Sequence, residues 1–324
     1  MSCRKKVSRL DELGKFFLMF NLKQQLLDLL KQVGGARHAN LLKSSSRSQV
    51  PGVFTDITDG SLYRSIRKQM NMMWSDVTLS LNCDGAPVFD SSKSTIWPIQ
   101  VVVNELPVLI RWQNVLITGL WFARAHPPMD VFMAQFVSEI NSIGTLVWSH
   151  AGKTGRSAVH AVACCVDSPA RAAILNSKQF NGYFGCSWCL QRGQVTDGAL
   201  KYPFSNQVAD RTHSGVLKAM AEAVRRNEPV FGIKRPSTLV KLQGFNLVWG
   251  LPPGYMHCVL DGVTKQVTEI RSIKLSAMLL QPLVMITLRA NVKTPHHGVP
   301  SQDTAASIDA IPPTCQSALG TEKD

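Results

Sequence analysis

The apolar positions of this chain change their spacing near residue 77. Before that point Leu10, Leu13, Phe16, Phe17, Phe20, Leu22, Leu26, Leu27, Leu29 and Leu30 recur every three or four residues. This spacing predicts a helix over 10–33, stopped by Gly34 and Gly35. A serine-rich linker spans 42–50, and a second helical stretch begins near Asp56 and runs through Tyr63, Ile66 and Met70. From Val77 onward the runs are shorter and strand-like. Residues 77–83, 96–103 and 114–121 predict three strands joined by short polar loops. Residues 130–143 then carry Val131, Phe132, Phe136, Val137 and Ile140 on one helical face. A fourth strand is predicted over 159–166. Ser168 and Pro169 open a further helix through Ala170, Ala173, Ile174 and Leu175, proline being favoured in a first turn.

The resulting order, β-β-β-α-β-α, predicts an α/β fold with a mixed sheet of the ribonuclease-H-like type. In that arrangement the first and fourth strands are parallel neighbours. Asp84 follows the first of them and Asp167 the fourth. Carboxylates side by side at strand ends suit a divalent cation, and with a third acid from a later helix they would form a two-metal site for phosphoryl transfer. The same residues also read as local structure, Asp84-Gly85 as a hairpin turn and Asp167-Ser168-Pro169 as a helix cap. Pattern alone leaves both readings open.

Beyond residue 180 the chain is rich in Gly, Pro and turn residues, and it reads as an insertion with a helix over 216–226. Its chemistry centres on Cys186-Ser187-Trp188-Cys189, which has the look of a knuckle-like turn. In a reducing compartment such a pair is half a zinc site or a redox couple. His213, His257 and Cys258 are candidates to complete a zinc site; two buried reduced thiols beside Trp188 are the alternative. After residue 269 the chain becomes irregular and Pro-, Ser- and Thr-rich, and disorder is expected there. The organisation expected is an N-terminal helical and linker segment over 1–72, a core over 73–180, the insertion over 181–265 and the tail over 266–324.

Composition narrows the partners. The chain has 324 residues, 45% of them hydrophobic, enough for a real core, and a formal net charge of +13, which favours a polyanion such as DNA. Arg171, four residues beyond Asp167, is placed either to meet a backbone phosphate or to sit on a helix surface. No run reaches the roughly 18 to 20 apolar residues of a membrane helix, since residues 275–288 are shorter and contain Pro282, so no membrane partner is expected. Arg4, Lys5 and Lys6 precede charged Arg9, Asp11 and Glu12 rather than an apolar stretch, so a cytosolic or nuclear rather than secretory address is expected. Eight cysteines spread over this length do not form a small disulfide framework. Without the Walker spacing the loop Gly152-Lys153-Thr154-Gly155 is weak evidence for a nucleotide triphosphatase, and with no Gly-x-Ser-x-Gly or His-Glu-x-x-His pattern hydrolase triads and zincins drop out; no small-molecule substrate is expected.

An ordered series of motifs adds a resemblance. It comprises Asp56-Ile57-Thr58-Asp59-Gly60, Asn82-Cys83-Asp84-Gly85, Ile96-Trp97-Pro98-Ile99, Asn104-Glu105-Leu106-Pro107, Asp167-Ser168-Pro169-Ala170-Arg171, Cys186-Ser187-Trp188-Cys189 and Tyr255-Met256-His257-Cys258. Over roughly 13–265 this series resembles the transposases of the CACTA (EnSpm-like) DNA transposons and their animal relatives. The resemblance implies a ribonuclease-H-like core with a D-D-E metal triad, interrupted before its last acid by a cysteine- and histidine-bearing insertion. Asp84 matches the first acid and Asp167 the second, while Cys186, Cys189 and His257 match the insertion motifs. It further implies Mg2+ or Mn2+ at the acids, Zn2+ in the insertion, DNA as partner and a homo-oligomer. Two departures stand out. Gly254 occupies a position where relatives tend to have an acid; Glu269 comes too early to be the third acid, twelve residues past His257, and Asp303, Asp309 and Glu322 have no helical frame. The tail reads as the product of a truncation or frameshift, and incomplete strand-cleavage chemistry is expected. The alternative is a noncatalytic zinc-dependent DNA- or protein-binding module.

Overall fold

The computed structural model describes residues 7–9, 15–33, 53–88, 94–150 and 153–269. The linker at 42–50, the tail beyond residue 269, His296 and His297, and the late acids Asp303, Asp309 and Glu322 lie outside the described residues. The strands are β1 (Val7–Arg9), β2 (Phe16–Met19), β3 (Val77–Cys83), β4 (Ala86–Pro87), β5 (Thr95–Val103), β6 (Leu116–Ala123), β7 (Thr145–His150), β8 (Lys153–Cys164), β9 (Gln194–Thr196) and β10 (Ala199–Lys201). The α-helices are α1 (Leu22–Val33), α2 (Ser61–Gln69), α3 (Val108–Gln113), α4 (Met129–Ile143), α5 (Ser168–Ile174) and α6 (His213–Arg226).

The main sheet is mixed and runs β1-β2-β6-β5-β3-β8-β7, with β4 paired to β5. The three-strand meander is present: β3 and β6 flank β5, both antiparallel to it. The pair β3–β8 is parallel, with β8 reached after α4 and β7. Alternation explains the strands. In β5 the residues Trp97, Ile99, Val101 and Val103 are buried and their neighbours are not, the period-two signature of a sheet with one face on a core.

That core is built on one face of the sheet by Leu79, Leu81, Ile99 and Val101, against Phe132, Met133, Phe136 and Val137 of α4 and Leu22, Leu26 and Leu30 of α1. The fully buried Phe132 and Phe136 each contribute about 1.5–3 kcal/mol by burial alone. On the alternate residues of β3 a polar network takes over. Glu105, fully enclosed, accepts from Thr78 N at 2.8 Å, from Thr78 Oγ1 at 2.8 Å and from Tyr63 Oη of α2 at 2.8 Å. Arg111 of α3 forks onto both carboxylate oxygens of Asp56 at 2.7 Å each and also donates to the Asn104 and Leu106 carbonyls. The Asp56 and Asn104-Glu105 motifs therefore fasten α2 and α3 to the sheet.

Two of the differences from the sequence expectation reshape the main sheet. The helix over 10–33 is instead strand β2 followed by α1. Phe16 to Met19 form an unbroken apolar run that fits either period, and the open edge of β6 decides between them: Phe16 pairs with Phe122 and Phe17 with Trp121. The Phe16 and Phe122 rings stack at 5.0 Å, and Phe17 meets Phe132 at 5.4 Å. Asn21 then starts α1 by accepting from Gln24 N through Oδ1 at 2.8 Å. The second difference is β7, which forms a hairpin with β8, so that β8 begins six residues before the predicted start at Val159. Gly155 makes this hairpin possible, because a Cβ there would lie 2.4 Å from the Trp148 indole.

The described residues fall into two compact units. One reaches Tyr202 and resumes over Val208–Pro252; the other comprises Pro203–Gln207 and the chain from Pro253. In the first unit Val216, Met220, Leu239, Leu242, Leu247 and Leu251, from the segment read as an insertion, join the main core. In the second, Met256–Thr264 is a stretch of π-helix continued by α-helix to Glu269. No helix among the described residues is long and apolar enough to cross a membrane.

Candidate metal-binding strand ends and cysteine knuckle

Both candidate acids owe their position to the β3–β8 register. Leu81 pairs with Cys164 as the last partners in the ladder, and Asp84 and Asp167 each stand three residues further on. Pairing persists past the strand ends: Cys165 N donates to Leu81 O at 2.8 Å, and Asn82 Nδ2 donates to Cys165 O at 2.7 Å. In the sequence Asn82 stood only as part of the motif around Asp84, with no role of its own; in the fold its amide ties β3 to the chain just beyond β8. Neighbouring strands lie about 4.8 Å apart, so the two backbones leave the sheet side by side at this end.

Each aspartate also makes the local bond that turn chemistry predicts. Asp84, exposed, accepts from Gly85 N at 2.8 Å. Asp167 is the N-cap of α5 and accepts from Ala170 N at 2.8 Å, with Pro169 in the first turn. Both bonds use Oδ1, and a carboxylate has about four lone-pair sites, so a turn bond does not by itself exclude a metal at the same carboxylate. Gly85 matters here because a Cβ would stand 2.4 Å from the Trp97 indole.

Arg171 lies on α5, with its guanidinium 5.9 Å from the Trp188 ring centroid. It thus connects the helix capped by Asp167 to the cysteine knuckle. Trp188 in turn stacks on Trp249 at 6.0 Å.

The knuckle is organised around sulfur. Trp188 N donates to Cys186 Sγ at 3.4 Å. The hydrogen bond from Cys189, then the backbone N–H groups of Trp188 and Cys189 and the charge of Arg211, bring the Cys186 thiol down to about 6 against the opposing effect of burial. Such N–H···S bonds and a lowered thiol suit a metal-binding or reactive cysteine. Arg211, which sequence reasoning missed, is buried and spends its guanidinium on backbone carbonyls. Its Nε donates to the carbonyls of Cys186 at 2.9 Å and Cys189 at 3.1 Å, and its Nη2 to those of Phe184 at 2.9 Å and Phe231 at 2.7 Å. The one clue was an arginine in a glycine- and cysteine-rich loop, placed just before the helix-capping Thr212.

His213 opens α6, and its Nδ1 accepts from Leu247 N at 3.2 Å. Cys258 is exposed. The side chain of His257 lies outside what is described. Among the described residues no group of three or more His, Cys, Asp or Glu side chains is arranged to hold a metal ion. Cys186 and Cys189 suit half of a tetrahedral zinc site; Asp84 and Asp167 suit a hard cation that takes its other ligands from water and phosphate. No protein-family model and no curated protein matches the chain.

Proposed function

We propose that this chain is a DNA-associated protein of transposase ancestry with a ribonuclease-H-like core, in which Asp84 and Asp167 hold Mg2+ or Mn2+ against a DNA phosphate. One observation carries the reading: β3 and β8 are adjacent and parallel, with the two acids at equal distance beyond their last paired residues. The antiparallel meander before α4 and the net charge of +13 add support. Magnesium is typically held by one or two carboxylates together with substrate phosphates, so two acids suffice for binding. Strand cleavage asks for more, because a second metal, which a third acid would help to hold, must stabilise the leaving oxygen. The reading is therefore DNA binding with a metal at the acids and without efficient cleavage.

Titration of Mn2+ into the full chain mixed with duplex DNA tests this. One metal site is expected, lost in Asp84→Asn and in Asp167→Asn; equal binding by all three proteins would overturn the proposal. Asparagine caps a helix as well as aspartate, which separates metal loss from misfolding. Magnesium- or manganese-dependent plasmid nicking that disappears in Asp84→Ala would show instead that the acid set is complete.

The knuckle favours a second reading, a noncatalytic binding module that uses zinc at Cys186 and Cys189. Stoichiometric zinc lost on Cys186→Ser, with no divalent metal at the acids, would select it.

A further inference from the structure

The chain around the knuckle is aromatic and basic. Residues 168–196 contain Arg171, Lys178 and Arg192 and no acidic residue. Phe180 is 60% exposed, Tyr183 41% and Phe231 51%. Large aromatic rings left in water need an explanation when the backbone is held as firmly as here. Phe184 and Phe231 both adopt left-handed backbone conformations, φ 59 and φ 47, which bulky residues rarely do, and Arg211 bonds the carbonyls of both. Backbone strain that the surroundings enforce gathers at working sites.

Of these rings Tyr183, together with Gln191, Arg192, Gly193 and Gln194, lines an open pocket of about 310 Å³, at the lower end of the range for ligand sites. The Arg192 guanidinium lies 5.5 Å from the Tyr183 ring centroid, and Phe184 N donates to Arg192 O at 3.0 Å, so the pocket and the strained aromatic pair share one backbone. Gly193, at φ 80, turns the chain here.

We infer that this pocket receives an unpaired base of single-stranded DNA. Arg192 lies over one face of the Tyr183 ring and offers a cation for the adjoining phosphate, the exposed part of that ring is placed for stacking, and Gln194 carries an amide able to read a base edge. The inference rests on the DNA reading above and specifies the form of DNA. A duplex keeps its base faces stacked, so the pocket discriminates against it.

Fluorescence anisotropy of the full chain with a labelled oligothymidylate, and with a duplex of equal length, tests this. Tyr183→Ala is expected to weaken single-strand binding about tenfold, Tyr183→Phe to retain it, and neither to alter duplex binding. Single-strand affinity unchanged in Tyr183→Ala, an equal loss on both DNAs, or tighter binding of an oligouridylate would overturn the inference alone. Failure of the wild-type chain to bind either DNA would overturn the DNA reading itself.

Discussion

Asp84 and Asp167 leave two adjacent parallel strands at the same register, three residues beyond the paired Leu81 and Cys164. Asn82 holds that end together through its bond to the Cys165 carbonyl. Asn82→Ala should therefore weaken Mn2+ binding at the acids while leaving overall helix and strand content unchanged, as measured by titration calorimetry and circular dichroism. Unchanged metal affinity would show that the acids need no such support.

Asp167 has a structural duty separable from any metal. Asp167→Ala removes the cap of α5 and should cost about 1 kcal/mol in urea unfolding, whereas Asp167→Asn should stay within a few tenths of the wild type.

The Cys186 thiol offers a pH signature. Its folded value is lowered to about 6 from the ordinary value near 9. The folded chain then binds fewer protons than the unfolded chain between those values, so the stabilisation is complete above pH 9 and is lost as the pH falls through 6. Thiolate absorbance should titrate near pH 6, and Cys189→Ala should move that midpoint upward. A midpoint that stays put in the variant would remove Cys189 as the cause.

Arg211 serves four carbonyls at once. Arg211→Met should destabilise the protein by about 3 kcal/mol or more, and Arg211→Lys should rescue little, because an ammonium cannot reproduce the planar fork. Denaturant midpoints of the three proteins decide this.

Phe17 tests the N-terminal strand. It is buried between Trp121 and Phe132, and Phe17→Ala should cost about 3–5 kcal/mol. A chain in which residues 16–19 merely flank the core would lose far less.

Much of the fold was legible in the pattern of side chains. The strand over 77–83 is β3 residue for residue, and the predicted starts of β5 and α4 lie one residue from those observed. These segments bury one face, so their period declares them. The segment at 16–19 did not declare itself, because four consecutive apolar residues satisfy a helix and a strand alike. The hairpin of β7 was missed for a related reason: only Leu146 and Trp148 mark its buried face. At the site, both aspartates were visible as turn residues after apolar runs, whereas Asn82 and Arg211 act through backbone carbonyls that no side-chain pattern encodes.

By itself, then, the sequence determined the local elements, the basic charge and the positions of Asp84, Asp167, Cys186 and Cys189, since periodicity, turn chemistry and net charge are properties of neighbouring residues. Only the tertiary structure decided that β3 and β8 pair in parallel with the two acids in step, that Phe16 to Met19 extend the sheet, and that Arg211 binds the cysteine knuckle. Each of those depends on hydrogen bonds and packing between residues far apart in the chain, and local pattern carries no record of such pairings.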